Sequence, residues 1–535
     1  MVYMKAVRKS ALMTLLLTMV LSLSLAGCGG NNGNNEAASP APSENATATN
    51  AAATDEPAAD PTAEPAKELE PYTVKLIYVG AVQKDEKAVE DEINKLLEPK
   101  INAKLDIAPI DWGPWDNDVN LKIASQEKFD IIFTAQWKNY VTNAAKGAYL
   151  PINDDSGKYG NLLNEYGQGI LKNLDPQFLK GSAINGVNYA VPTNKELAAQ
   201  GGVVYRSDIA DELGIDMSNV KSIQDLDAVL KVVKEKRPDL TPLYFKQGET
   251  FNSQYMAQYD TLGDAAIPGV LLKDSSDTKI QSMIEMDRYK EIIKLTREYM
   301  KKGYINKDAA VATNSTQDAM KAGNVFMTVQ SLKPGKDSEL ANATGLVGKL
   351  KQIAFNDPTI STSDAAGSML AISASSGDPA RAMMVLDILH TDKDINNLLV
   401  FGIKGVHYEV VSGDTIKATD KTADYNTAAA WMLGSQFLNP VWESEAPDKW
   451  EQFKAFNSKG KASVALGFNF DASAMKTEMA ACKAVMDEYD ISLDTGSVDP
   501  DTVLTKYADK LKKAGLDKII AEKQKQLDAF LAAQK

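Results

Sequence analysis

Six tryptophans, two histidines and two cysteines are where this 535-residue chain concentrates its specialised side chains. Two histidines, His390 and His407, are too few for a His-based metal site or a Ser-His-Asp arrangement. There is no HExxH, no Gly-rich phosphate loop and no GxSxG. Cys482 lies in TEMAACKAVMDEY, a helical pattern, and reads as a buried small hydrophobe rather than a reactive thiol. Binding chemistry is left to the tryptophans, whose flat rings pair an apolar face with a polar N–H. Trp112 and Trp115 fall in DWGPW (111–115) and Trp137 in TAQW (134–137), each following an apolar run. Trp431 and Gln436 share the loop-like segment AAAWMLGSQFLNP. Trp442 and Trp450, among the charges of WESEAPDKWEQF, read as packing residues.

Those positions acquire meaning from the elements around them. VKLIYVG (74–80) reads as a buried strand ending in glycine. EKAVEDEINKLLEPK follows as a helix with Val89, Ile93, Leu96 and Leu97 on one face, ended by Pro99. AKLDIAPID (103–111) and FDIIFT (129–134) are further strands, with a helix between them over about 116–125. Strand, helix, strand, helix, strand implies a parallel α/β sheet, and ligands bind such sheets at the carboxyl ends of their strands. That edge is where Trp112, Trp115 and Trp137 fall. GVNYAVPTNKE (186–196) is expected to be a strand leaving this lobe. Amphipathic helices follow at 222–236 and 288–303, strands at 322–330 and 367–373, and a helix opening at Asp378-Pro379. The chain closes on two charged amphipathic helices, whose polar sides read as solvated faces, and no internal repeat is visible.

The N-terminus has a separate logic. Lys5, Arg8 and Lys9 precede the apolar run ALMTLLLTMVLSLSLAG, which falls short of the roughly 20 residues of a spanning helix. A basic region, a short apolar core and small residues describe a secretory signal over 1–27. Leu25-Ala26-Gly27-Cys28 resembles a bacterial lipobox, which implies that Cys28 is acylated and becomes the mature N-terminus. Several acyl chains anchor a soluble body durably where one would be marginal. Residues 28–70 then form the anchor and tether, a segment without aromatics that cannot offset its own ordering entropy. As a flexible coil it spans roughly 35 Å.

With Cys28 lipidated, Cys482 has no partner and a disulfide framework is excluded. The net charge is −14, and the mature body is more negative still without Lys5, Arg8 and Lys9, so it is a poor nucleic-acid binder. No cofactor or metal is expected, and the protein is expected to be a monomer.

The order of elements, with FDIIFTAQWKNYVTNAAKGAYLPIND, SLKPGKDSEL (331–340), DPARAMMVLDILHTDKDINNLLVFGIKGVHYE (378–409), the stretch 467–504 and LKKAGLDKIIAEKQKQLDAFL (511–531), resembles family-1 extracellular solute-binding proteins. These are the receptor subunits of ABC importers. The likeness is to the sugar-type lipoproteins of Gram-positive bacteria with a C-terminal domain of unknown function. It covers nearly all of 72–535. It implies a type II periplasmic-binding-protein-like α/β fold: two lobes, each a mainly parallel sheet flanked by helices, plus a helical C-terminal region. Carried onto this chain, lobe one is 72–195 and 360–405, and lobe two is 196–359 and 406–535. The crossovers are expected near Ala190–Val204, Ile360–Leu370 and Gly402–Val410.

The resemblance also implies a sugar or oligosaccharide cargo, handed to permease transmembrane subunits. Sugars present hydroxyl edges and weakly polar C–H faces, which call for aromatic platforms with amide or carboxylate forks. The ligand-binding candidates are Trp112, Trp115, Trp137, Asn194, Glu196, Tyr255, His407, Trp431 and Gln436, with His407 equally suited to bracing the hinge. One departure stands out. The subgroup usually carries Gly-Asn where this chain has Gly434-Ser435, which puts ligand identity in question if that asparagine touches ligand. Two other readings stay open: a peptide or signal as cargo of the same fold, and a surface glycoside-processing enzyme, which would need two carboxylates about 5–10 Å apart.

Overall fold

The structure, a computed structural model, describes residues 69–253, 258–263 and 268–534. The signal segment, Cys28, the tether up to residue 68 and Tyr255 lie outside the described residues.

The first sheet runs in the order Ala103–Ile110, Tyr72–Val79, Ile131–Thr134, Met369–Ile372, Val191–Pro192. The first three strands are parallel, and the last two join antiparallel. Its central strands are continuous apolar runs because both faces are covered; Val74, Leu76, Ile77, Ile131 and Ile132 are fully buried. The helix Glu86–Ile101 lays Val89, Ile93 and Leu97 onto it, four residues apart on one face. Leu96, expected on that face, is exposed. Pro99 does not end this helix. It sits in the last turn, where a missing N–H costs a single bond, and the helix stops at Asn102 with a left-handed φ of 46°.

The expected strand over 186–196 shrinks to Val191–Pro192, because a two-residue turn at Asn185-Gly186 closes the chain just before it. The second sheet runs Leu350–Ala354, Gln200–Arg206, Val325–Leu332, Thr241–Tyr244. Only its last pair is parallel, so this sheet is mixed rather than mainly parallel. Helices Leu226–Lys236 and Asp287–Lys301 cover it.

The third crossover lies further along than expected. Tyr408, Ile416, Tyr425, Met432 and Leu433 are buried in the same core as the first sheet. Their apolar side chains hold 406–433 there, and the strand Tyr408–Ser412 packs its leading ring on Phe401. The chain leaves this core only after Asn194 and Ser435 pair as a parallel bridge. It then passes through the helix Lys449–Lys459 to Lys461–Ala462, which pairs with Thr359–Ile360. Helices Lys476–Asp494, Pro500–Ala514 and Leu516–Ala533 follow. They share a core with Ile284, Tyr289 and Ile293, and Cys482 is buried inside it.

Candidate functional site

Three tryptophans from three stretches of chain meet at the carboxyl edge of the first sheet. Ring centroids lie 6.1 Å apart for Trp112 and Trp137, 6.4 Å for Trp112 and Trp431, and 6.4 Å for Trp137 and Trp431. Their planes agree within 12° to 29°. Three nearly equal spacings exclude a column, in which one separation would be about the sum of the others; the rings form a triangle of near-parallel faces. Trp112 and Trp137 are 49% and 52% exposed, and side by side they make a contiguous apolar patch of the kind that marks an interaction site.

Phe133 supports them from below, edge-on to Trp431 at 5.5 Å and tilted to Trp137 at 6.1 Å. Trp115 is not part of the platform. It is 2% exposed and packs edge-on against Phe133, so it is a core residue one layer beneath. The Trp137 Nε1–H donates to the Gly367 carbonyl at 2.8 Å, fixing the ring to the second crossover. Lys138, paired with Asp116 at 2.9 Å, lies 5.6 Å from the Trp137 ring centre.

Trp137 also lines a cleft of about 620 Å³, where the first-sheet edge, the first and second crossovers and the end of the second-sheet strand Val325–Leu332 converge. Three buried oxygens of its wall, Gln136 Oε1, Glu196 Oε2 and Asp364 Oδ1, have no hydrogen-bond partner. All three are acceptors, so the wall suits a ligand that brings donors, as hydroxyls do.

The charges here are fixed. Burial alone would push the Glu196 carboxyl up, but Lys195 at 2.9 Å and Lys333 at 3.5 Å outweigh it and hold it at about 2. Lys333 also reaches Glu339 at 3.1 Å, and Glu339 pairs with Lys336 at 2.6 Å. Burial would lower the Lys333 ammonium's pKa, yet the two carboxylates raise it above its ordinary value. Asp364 forms a buried pair with Lys273 at 2.9 Å, and the same oxygen accepts from the Ser361 N–H and hydroxyl. A carboxylate held ionised can only accept, so Glu196 presents acceptor oxygens alone.

The other candidates serve elsewhere. Asn194 donates its backbone N–H to Gly434 O, accepts from Gln436 N, and gives its amide to Asn173 O at 3.2 Å. It lines a separate cavity with His390 and Ser435, not the cleft. Gln436 is buried in the same seam. His407 is a brace in the first lobe: Nδ1 accepts from Ile403 N at 2.8 Å, so the proton is on Nε2, which faces Asp85 Oδ2 at 3.2 Å. Ser435 is buried and lines the cavity of Asn194 rather than the cleft. Gly434 itself is required, since with φ 76° a Cβ there would lie 2.2 Å from Leu389 O. Gln136, Lys333 and Asp364 line the cleft without standing out individually in the sequence. The signal for two of them was present: Gln136 stands beside Trp137 in TAQW, and Lys333 opens the charged part of SLKPGKDSEL.

The two-sheet frame with its helical C-terminal region has known counterparts. Residues 80–393 match the model of the bacterial extracellular solute-binding protein family. The chain belongs to that family. Residues 464–532 of this solute-binding protein match a domain of unknown function, DUF3502. It is 30% identical over 447 residues to a carbohydrate ABC transporter substrate-binding protein of Streptococcus pneumoniae serotype 4, covering 83% of this chain and 87% of that one. It is also similar to the crystal structure of the N-glycan transport solute-binding protein NgtS of Streptococcus pneumoniae. The TM-score is 0.79 at 28% identity, over 87% of this chain and all of the other. The NgtS complex with Man5GlcNAc gives 0.70 at 28%, over 87% and 99%. The type II two-lobed fold and the family expected from sequence are those found. The protein is the solute-binding component of an ABC importer and acts outside the cytoplasm.

Proposed function

We propose that this binding protein captures a neutral oligosaccharide between its lobes and delivers it to the permease, without turning it over. The observation that carries the reading is the triangle of Trp112, Trp137 and Trp431 beside a cleft with three unpartnered acceptors. Apolar sugar faces lie on the rings, and hydroxyl edges donate to Gln136, Glu196 and Asp364. The glycan-bound NgtS structures support the cargo class.

In this reading the lobes are 72–192 with 369–438, and 200–354 with 464–534. The three passages at 193–199, 355–368 and 439–463 flex between them, and ligand shifts the balance toward the closed form. The body works as a monomer, tethered by acyl chains on Cys28. Radiolabelled palmitate should enter the wild-type chain, and Cys28→Ala should shed the unlabelled protein into the medium.

Titration calorimetry with a panel of neutral oligosaccharides, with small-angle scattering on the same samples, tests the capture step. Binding accompanied by compaction supports it. Steady release of reducing ends would instead make the protein an enzyme, and the absence of any heat or compaction across the panel would sink the sugar assignment.

A further inference from the structure

A second cavity, of about 940 Å³, lies on the far side of a single side-chain contact from the cleft. The Gln136 Nε2 amide donates to Asn469 Oδ1 at 3.1 Å; Gln136 lines the cleft and Asn469 lines this second space. One wall comes from residues 153–188 of the first sheet's lobe, the other from 467–471 and the last helix, Leu516–Ala533.

Its lining is rich in amides and poor in charge. Of the twenty residues lining it, eight are carboxamides and only Lys180 and Asp471 are charged. A carboxamide offers a donor and an acceptor side by side, the pattern that adjacent hydroxyls meet, and the scarcity of charge disfavours ionic ligands. Some of these amides build the wall. Asn153 and Asn188 bond each other at 3.1 Å, and Asn469 donates to Ala183 O at 3.0 Å. Others point outward: the side chains of Asn164 and Asn185 are exposed and make no hydrogen bond to the protein. Asn185 is rigidly placed, with φ 52° ahead of Gly186 at φ 84°, in a two-residue hairpin turn closed by both Ile184–Val187 backbone bonds. Phe530 adds a partly exposed ring, tilted against Phe468 at 5.5 Å.

We propose that this groove is a second saccharide-binding site, taking the neutral extension or branch of the oligosaccharide whose first units occupy the cleft. This rests on the capture reading above. The two spaces are joined by a pair of carboxamides whose remaining acceptor, Gln136 Oε1, is buried without a partner, so a glycan hydroxyl crossing the seam finds an acceptor there. The DUF3502 region thereby acquires a role as one wall of a glycan groove and a determinant of chain length.

The test uses the full chain and neutral oligosaccharides from disaccharide to hexasaccharide, with Man1GlcNAc and Man5GlcNAc included. In the wild type the longer glycan of a series should bind about ten-fold tighter than the shortest, equivalent to about 1.4 kcal/mol. Ala533→Trp, which fills the groove from an exposed helix position, should bring that ratio close to one while leaving the shortest ligand's affinity unchanged. Asn164→Ala should lower the ratio part-way, and melting curves should show both variants folded. An unchanged ratio in both variants overturns the groove and leaves the cleft standing. Failure of every length to bind the wild type overturns the cleft reading, and the groove with it.

Discussion

Trp112 and Trp137 lie with ring centroids 6.1 Å apart and planes 17° from parallel, although they follow different strands of one sheet. Each is half exposed, and each is held by something other than a ligand: Trp137 by its bond to Gly367 O, Trp112 by its contacts with the other two rings. The surface is therefore formed before sugar arrives, which reduces the ordering cost of binding.

Trp137→Ala is expected to weaken oligosaccharide affinity about ten-fold, roughly 1.4 kcal/mol, with little change in melting temperature. Trp115→Ala should do the reverse. Its ring is buried beneath the platform, so truncation leaves a cavity and costs about 3–5 kcal/mol of stability. Calorimetry and thermal melts on the two variants separate surface from support, and equal affinity losses at equal stability would count against the division.

Among the described residues, Lys333 is the cation within 4 Å of both Glu196 and Glu339. Lys333→Met removes it while Lys195 stays beside Glu196 and Lys336 stays beside the solvent-exposed Glu339, so the expected loss is about 1–3 kcal/mol. The pH dependence has a definite sign. Glu196 is held at about 2, below the unfolded value near 4.3, so its contribution is present above about pH 4.3 and is lost as pH falls toward 2. Urea titrations between neutral pH and pH 3 should show this decline in the wild type and a smaller one in Lys333→Met. Parallel declines would show that Lys333 does not set the state of Glu196.

A second titration runs the other way. Asp494, in the helix Lys476–Asp494, is pushed up to about 8 by burial, with the nearby Asp490 adding to it, and accepts from the Asn252 amide at 3.1 Å. Its folded value lies above the unfolded one, so its contribution is complete below about pH 4 and is lost as pH rises through 8. Asp494→Asn keeps an oxygen for Asn252 and abolishes the titration. The variant should melt several degrees higher than wild type at pH 8.5 and close to wild type only near pH 4, with the gap opening in between. A uniform offset at both pH values would rule this out.

Gly434→Ala should destabilise the seam between the first lobe and the third crossover. The backbone there is left-handed and the added carbon would strike Leu389 O, so the cost should exceed the roughly 1 kcal/mol of a left-handed alanine alone. Hydrogen exchange at Ser435 N and Gln436 N, which bond Leu389 O and Asn194 O, should speed up first. Unchanged protection at both would refute the close-approach argument.

The sequence made the first sheet legible because its strands are unbroken apolar runs and its helices carry apolar residues four apart. The platform was legible for the same reason: Trp112 and Trp137 immediately follow strands, whose ends a parallel sheet must gather. Trp115 was misplaced because three residues along a tight turn reverse a side chain's direction, from the surface to Phe133. The third crossover was misplaced because Tyr408, Tyr425 and Leu433 carry no periodic pattern; only packing reveals which core claims them. Asn194 and Gln436 looked like ligand forks, yet their backbones are committed to each other across the seam, a pairing that no spacing along the chain announces.

The near-parallel indoles have a further consequence. Rings about 6 Å apart lie close enough for their transition dipoles to interact, so the circular dichroism of Trp112, Trp137 and Trp431 should depend on how the three are arranged. Any molecule settling on two of them perturbs all three. Under the proposed capture role, the near-ultraviolet circular dichroism of the unlabelled protein should therefore change when cargo binds.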